Sequence, residues 1–142
     1  MRPKISSLVE VDAKEEQYKF TGTHILGDLY GISNDKLESI DFLEKIVSDG
    51  IMKANASCHG IQVKKFNTGG ITLIALLSES HVSIHTYPEY NSTFIDAFTC
   101  GEHCNPQLII DTIVEGLKPQ KVVINKVRRG KDINDSKKIP LT

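Results

Sequence analysis

Between Ile61 and Thr99 four strand-length runs (residues 61–66, 72–77, 82–86 and 93–99) follow one another with gaps too short to hold a helix. A parallel pair needs a crossover of roughly a dozen residues or more, whereas antiparallel neighbours can be joined by a tight turn. The spacing therefore predicts a mostly antiparallel sheet. In the last run Phe94 and Phe98 share one face and Ile95 and Ala97 the other, the period-two alternation of a strand. Residues 20–32 read as an earlier strand ending in a turn at Gly31. Asn34 or Asp35 then offers a cap for a helix in which Leu37, Ile40, Leu43, Val47 and Ile51 recur at helical spacing, with Gly50 weakening its last turn. Downstream, Asn105-Pro106 is a helix start, Leu108, Ile109, Ile113 and Leu117 form its apolar stripe, and Pro119 ends it. Residues 121–127 make a last strand. The order β-α-β-β-β-β-α-β predicts an α/β fold, a two-layer sandwich whose two helices cover one face of the sheet. The other face needs a cover too, and a second copy of the chain is the expected one.

The chain has 142 residues, one domain by the length prior. Its polar ends, residues 1–19 and 128–142, are expected to be loosely ordered. Seventeen basic residues against eighteen acidic ones leave no strong field, so charge points to neither a nucleic acid nor a membrane surface. The apolar runs are too short to span a bilayer, and Met1-Arg2-Pro3-Lys4 is not followed by an apolar signal region. Three cysteines, an odd count without framework spacing, favour reduced thiols in a cytoplasm. Cys100, His103 and Cys104, with Cys58 and His59 elsewhere, are the candidate zinc ligands; they lack a Cys-x-x-Cys pair, and no metal is expected.

The chemistry concentrates in Leu77-Ser78-Glu79-Ser80-His81-Val82-Ser83-Ile84-His85-Thr86-Tyr87-Pro88-Glu89, directly after the apolar run 71–77. Three serines, two histidines and two glutamates in thirteen residues exceed what packing at a strand end requires. A serine hydroxyl at Ser80 can attack the preceding carbonyl and turn the Glu79–Ser80 amide into an ester. β-Elimination and hydrolysis then leave a pyruvoyl group and ammonia. The elimination needs a base, and His85 is a neutral one near pH 7. Such a group supplies a ketone that condenses with a substrate amine and a carbonyl that takes up the electrons released with CO2, a sink no side chain provides. No lysine lies in a recognisable pyridoxal site, so an internally made sink suits this chain. Cys100, closing the run Phe98-Thr99-Cys100-Gly101, can face a cavity as a protonated thiol and donate to the substrate carbon.

With Asp28-Leu29-Tyr30-Gly31 near the start, these motifs resemble the small prokaryotic S-adenosylmethionine decarboxylases from about Gly22 to Val127. The resemblance implies a proenzyme cut between Glu79 and Ser80 into residues 1–79 and 80–142, with Ser80 the precursor of a covalent pyruvoyl cofactor. It implies His85 as a processing residue, Thr72 as a hydroxyl that assists processing, and Cys100 as the proton donor in catalysis. For the substrate it implies Phe66 and the His85 ring stacking on adenine, and Glu89 binding the ribose hydroxyls. The implied product is the aminopropyl donor for spermidine synthesis, and the implied active unit a homodimer of cleaved protomers. The sequence departs from the family pattern at Gly27, where an apolar residue is expected, and at Tyr87, where tryptophan is common. Two other readings stay open: a pyruvoyl-dependent arginine or ornithine decarboxylase on the same scaffold, and a catalytically silent homologue that regulates an active partner.

Overall fold

A computed structural model describes residues 20–101 and 103–130; the expected polar segment 1–19, and residues 131–142 of the expected tail 128–142, lie outside them. In chain order the elements are β1 (Gly22–Tyr30), α1 (Asn34–Leu37), α2 (Ile40–Lys53), β2 (Cys58–Lys65), β3 (Ile71–Leu77), β4 (Ser80–Tyr87), a 3-10 turn (Pro88–Tyr90), β5 (Ser92–Cys100), α3 (Pro106–Leu117) and β6 (Lys121–Arg129). The strands form one six-stranded sheet of order β2-β3-β4-β5-β1-β6. Every neighbouring pair is antiparallel, as the short connections require.

Alternation along each strand sorts the side chains into two faces. Ile25 and Leu29 of β1, Leu73 and Ala75 of β3, Val82 and Ile84 of β4, and Ile95 and Ala97 of β5 are buried on one face. Against them α2 buries Leu43, Ile46, Val47 and Ile51, and α3 buries Ile109, Ile110, Ile113 and Leu117. The opposite face carries Leu26, Ile74, Leu76 and Phe94, all exposed, between His24, His81, Ser83, His85 and Asp96. The layers are those predicted: helices on one side, an open and partly apolar sheet face on the other.

Three local expectations are corrected. The single helix expected from Asn34 onward is two. Glu38 leaves helical backbone, and Ser39 restarts the helix by accepting a 3.1 Å hydrogen bond from the Phe42 N–H, so Ser39 rather than Asn34 or Asp35 caps α2. On α3 the core position is Ile110, while Leu108 is half-exposed. The last strand runs to Arg129, with Arg128 and Arg129 paired to Thr23 and Gly22, so its end is ladder and not tail. It lies beyond the helices and is exposed along its whole length. The cap expected at Asn105 is present: its Oδ1 accepts from the Gln107 N–H at 3.0 Å.

Two glycines are explained by close approach. A Cβ at Gly27 would lie 3.0 Å from Ile95 and 3.2 Å from Ile124, so the volume of the expected apolar residue is already filled by its neighbours. Gly50 sits inside α2 where α3 crosses it, and a Cβ there would meet the Ile109 backbone at 3.2–3.3 Å. Helix propensity alone favours alanine over glycine by up to about 1 kcal/mol. Here the gain is opposed by backbone that cannot yield as a side chain can. Gly50→Val, with two further methyls at that contact, is expected to lower stability by about 1–3 kcal/mol in denaturant unfolding.

Candidate active site

The β4–β5 register builds the centre of the site. Ser80 pairs with Thr99, which brings Cys100, the last residue of β5, beside the Glu79 carbonyl. That oxygen accepts the Cys100 backbone N–H at 3.3 Å and the Cys100 thiol at 2.9 Å. The Glu79 side chain is 3% exposed, and its carboxylate is met from both sides. Oε1 accepts the Ser57 N–H at 3.1 Å, and Oε2 lies 3.5 Å from His103 Nε2. A buried carboxylate without such partners would cost several kcal/mol. The peptide before Ser80 is thus gripped at its carbonyl and at its side chain. Two donors on one carbonyl oxygen are suited to the charge that develops when a nucleophile adds to its carbon.

Around Ser80 the open face supplies a network absent from the sequence-based assignment. Ser80 Oγ lies 3.4 Å from His81 Nδ1, and His81 Nε2 lies 2.9 Å from Asp96 Oδ2. His24 Nε2 reaches the same oxygen at 2.7 Å, while Ser83 donates to Oδ1. Behind His24, the Arg129 guanidinium lies 3.4 Å from Nδ1 and stacks over Phe98 at 4.7 Å. Burial pushes the Asp96 carboxyl up, but the hydrogen bonds from Ser83, His24 and His81 outweigh it and hold the acid below its ordinary range. The sequence carried one signal for this residue: Asp96 alternates with Ile95 and Ala97 and falls on the face of Phe94 and Phe98. Nothing in the sequence placed His24 beside it.

The remaining residues gather at the other end of β4. Thr72 pairs with His85, and Thr72 Oγ1 lies 3.4 Å from His85 Nδ1. Phe66 is half-exposed at the β2–β3 hairpin, and Glu89 is exposed in the 3-10 turn after β4. An open groove of about 760 Å³ runs along the sheet face past His81, Asp96, Ile74, Phe94 and His85. His85 is five residues from Ser80 along a continuous strand, a separation of about 16 Å at 3.3 Å per residue. One protomer therefore brings Glu79, Ser80 and Cys100 together, and Thr72 with His85, without bringing the two groups to each other.

Among the described residues, the His/Cys/Asp/Glu group close enough to share an ion is His24, His81 and Asp96, not the cysteine–histidine set considered from sequence. Arg129 donating to His24 Nδ1 leaves the proton on Nε2, which then donates to Asp96. Cys104 is buried, and burial, with the Glu79 carboxylate nearby, pushes its thiol up.

Taken alone, this geometry is that of a two-layer α/β sandwich in which a carbonyl that accepts a backbone N–H and a thiol lies next to a serine hydroxyl. Residues 23–130 match the family S-adenosylmethionine decarboxylase. The chain belongs to that family. It is 40% identical over 114 residues to the S-adenosylmethionine decarboxylase proenzyme of Brevibacillus brevis, covering 80% of this chain and 86% of that protein. It is 39% identical over 112 residues to the proenzyme of Methanococcus maripaludis, covering 79% and 92%. Among solved structures, the adenosylmethionine decarboxylase of Aquifex aeolicus superposes with a TM-score of 0.74 at 31% identity, over 82% of this chain and 97% of that one. These similarities support the carboxy-lyase reading over the amino-acid decarboxylase and silent-homologue readings.

The Asp96 network carries a pH dependence. A carboxyl whose folded pKa lies below its unfolded value of about 3.9 contributes stability above that value, and the contribution is lost as pH falls through the folded one. Thermal unfolding followed from pH 6 to pH 2 should show this loss. Asp96→Asn should be less stable at pH 6, and its stability should fall less steeply on acidification.

Proposed function

We propose that this chain cuts itself between Glu79 and Ser80, and that Ser80 becomes the pyruvoyl group with which it decarboxylates S-adenosylmethionine. The single observation that carries the reading is the Glu79 carbonyl held by the Cys100 N–H and thiol, immediately before the one serine of the motif that opens β4. In the cleavage, Ser80 Oγ forms a bond to the Glu79 carbonyl carbon and the C–N bond breaks, giving an ester and a free amine. A base removes the Ser80 Cα proton, the Glu79 carboxylate leaves, and water releases ammonia from the remaining imine. The donors around this carbonyl also suit a group built of carbonyl oxygens, so the residues present fit a pyruvoyl. When formed, that group supplies the ketone and electron sink needed for loss of CO2. Cys100 is placed to give a proton to the substrate carbon, and its Sγ is half-buried next to the cleaved bond. Phe66 offers an aromatic face for adenine, Glu89 two oxygens for a diol, and the His85 ring a second stacking surface.

His85 and Thr72 serve the Ser80 of a second copy. The separation of about 16 Å along β4 excludes direct contact within one protomer, and the uncovered sheet face is apolar enough to seat another. Leu26, Ile74, Leu76 and Phe94 are each 38–57% exposed there, interspersed with histidines, a serine and an aspartate, and exposed apolar side chains concentrated on one face are a mark of an interface. A two-fold axis lying in the interface plane and running across the strands would lay the Thr72–His85 end of each protomer against the Ser80–Cys100 end of the other, giving two sites. No described helix is long and apolar enough to cross a membrane, and the three thiols are free; we place the dimer in the cytoplasm.

Intact-mass measurement should find two chains, the second beginning with a blocked pyruvoyl end, and Ser80→Ala should stay whole. His85→Ala should stall as an ester that hydroxylamine splits at Ser80. Co-expression of Ser80→Ala with His85→Ala separates the dimeric site from a single-chain one. The mixed dimer keeps one site with both residues, so the His85→Ala chain should regain cleavage; no rescue means that His85 acts within its own protomer.

Substrate choice rests on the two outer residues. Phe66→Ala is expected to reduce S-adenosylmethionine use by roughly 1–3 kcal/mol, about 5- to 150-fold. Glu89→Gln should weaken it too while leaving cleavage intact. CO2 release from labelled S-adenosylmethionine, arginine and ornithine checks the assignment, and either amino acid proving the better substrate would overturn it.

A further inference from the structure

The proposed cleavage leaves one proton without an acceptor. Ser80 Oγ must give up its hydrogen as it attacks the Glu79 carbonyl, and the nitrogen that leaves must gain one. Within its own protomer His85 lies far along the strand, the second copy's His85 is assigned to the Cα proton of the later elimination, and Cys100 is a donor to the carbonyl oxygen, not an acceptor. The neighbouring side chain His81 is not used by any role described so far. It sits on the open face with Asp96 and Phe98 of β5 and His24 of β1 around it, Arg129 of β6 behind His24, and Leu76 of β3 alongside.

We propose that His81, oriented by Asp96, is the base that takes the Ser80 hydroxyl proton in the first step of self-cleavage and returns it to the leaving nitrogen. The inference rests on the cleavage reading above. Its geometry is a chain of three groups: Ser80 Oγ to His81 Nδ1 at 3.4 Å, and His81 Nε2 to Asp96 Oδ2 at 2.9 Å. Donation from Nε2 to the carboxylate fixes the tautomer, so Nδ1 carries the lone pair that faces the hydroxyl. The carboxylate is held in place by Ser83 on one oxygen and by His24 on the other, and His24 is oriented in turn by Arg129. When Nδ1 takes the proton, the imidazolium charge forms against the Asp96 carboxylate.

Bonds and protons balance. Oγ–C forms, C–N breaks, and one proton passes from Oγ to Nδ1 and on to the amine of Ser80. The long Oγ–Nδ1 distance is that of a resting precursor, and such contacts tighten in the reacting state. His81 is catalytic by contact with the reacting hydroxyl; Asp96 is a positioning residue.

The test uses full-length precursor from cell-free translation, with cleavage timed by gel and intact mass and folding checked by circular dichroism. His81→Ala and His81→Gln should both lengthen the cleavage half-time by about 100-fold or more, the scale of a lost general base. Added imidazole should shorten it again for His81→Ala but not for Ser80→Ala. Asp96→Asn, which keeps the histidine but loses the anchor, should also slow cleavage, and Asp96→Glu should recover part of it. Wild-type half-times in both His81 variants would overturn the inference while leaving self-cleavage intact. Slow cleavage that imidazole does not relieve, with Asp96→Asn at the wild-type rate, would reduce His81 to packing and overturn it equally. A wild-type precursor that never cleaves would instead remove the reading beneath it. If His81→Ala fails to fold, His81→Gln and the Asp96 variants decide the question.

Discussion

The bond between the Glu79 carbonyl and Cys100 is the interaction around which the site is organised. It exists because β4 and β5 pair in a register that places Thr99 opposite Ser80, so the next residue of β5 reaches back over the strand start. A backbone N–H and a thiol converge on one oxygen, while the acid of the same residue is tied to Ser57 and His103. The peptide linking β3 to β4 is therefore held by strands that the helical layer buttresses from the other face. Preorganised donors of this kind cost little reorganisation at the moment of reaction, which is what a reaction of the chain on itself needs.

A second constraint is the stiffness of the strand. An extended β4 separates Ser80 from His85 by several residues of fixed rise and cannot fold back without losing its ladder on both sides. The helices cover one face and leave the other with apolar residues beside histidines, serines and an aspartate. Under the proposed reaction, dimer formation and catalysis then have one cause: the face that needs covering is the face that holds both halves of the site.

Asp96 ties the electrostatics together. Three donors from the two neighbouring strands, His24 of β1 and His81 and Ser83 of β4, satisfy its oxygens, so a carboxylate can sit on a half-buried face and remain charged. That charge orders two imidazoles, and through His24 it reaches Arg129 on the edge strand, whose guanidinium lies over the Phe98 ring.

The sequence by itself determined the sheet's antiparallel character, the cap at Asn105 and the string around Ser80, because these are local: short gaps, period-two alternation and neighbouring residues decide them. It also carried the motifs on which the family rests. It misplaced the start of α2, since Ser39 and Asn34 are both competent caps and residue type alone does not choose between them; the break of helical backbone at Glu38 leaves the cap to Ser39. It left His81, His24 and Asp96 without roles, because their meeting depends on β1 and β4 lying on either side of β5, pairings between residues as much as 72 positions apart. It allowed His85 to reach Ser80, a question of whether the chain between them turns or stays extended. Tertiary structure decided that: ladder hydrogen bonds to β3 and β5 on both sides keep β4 straight, and the two ends of the motif stay apart.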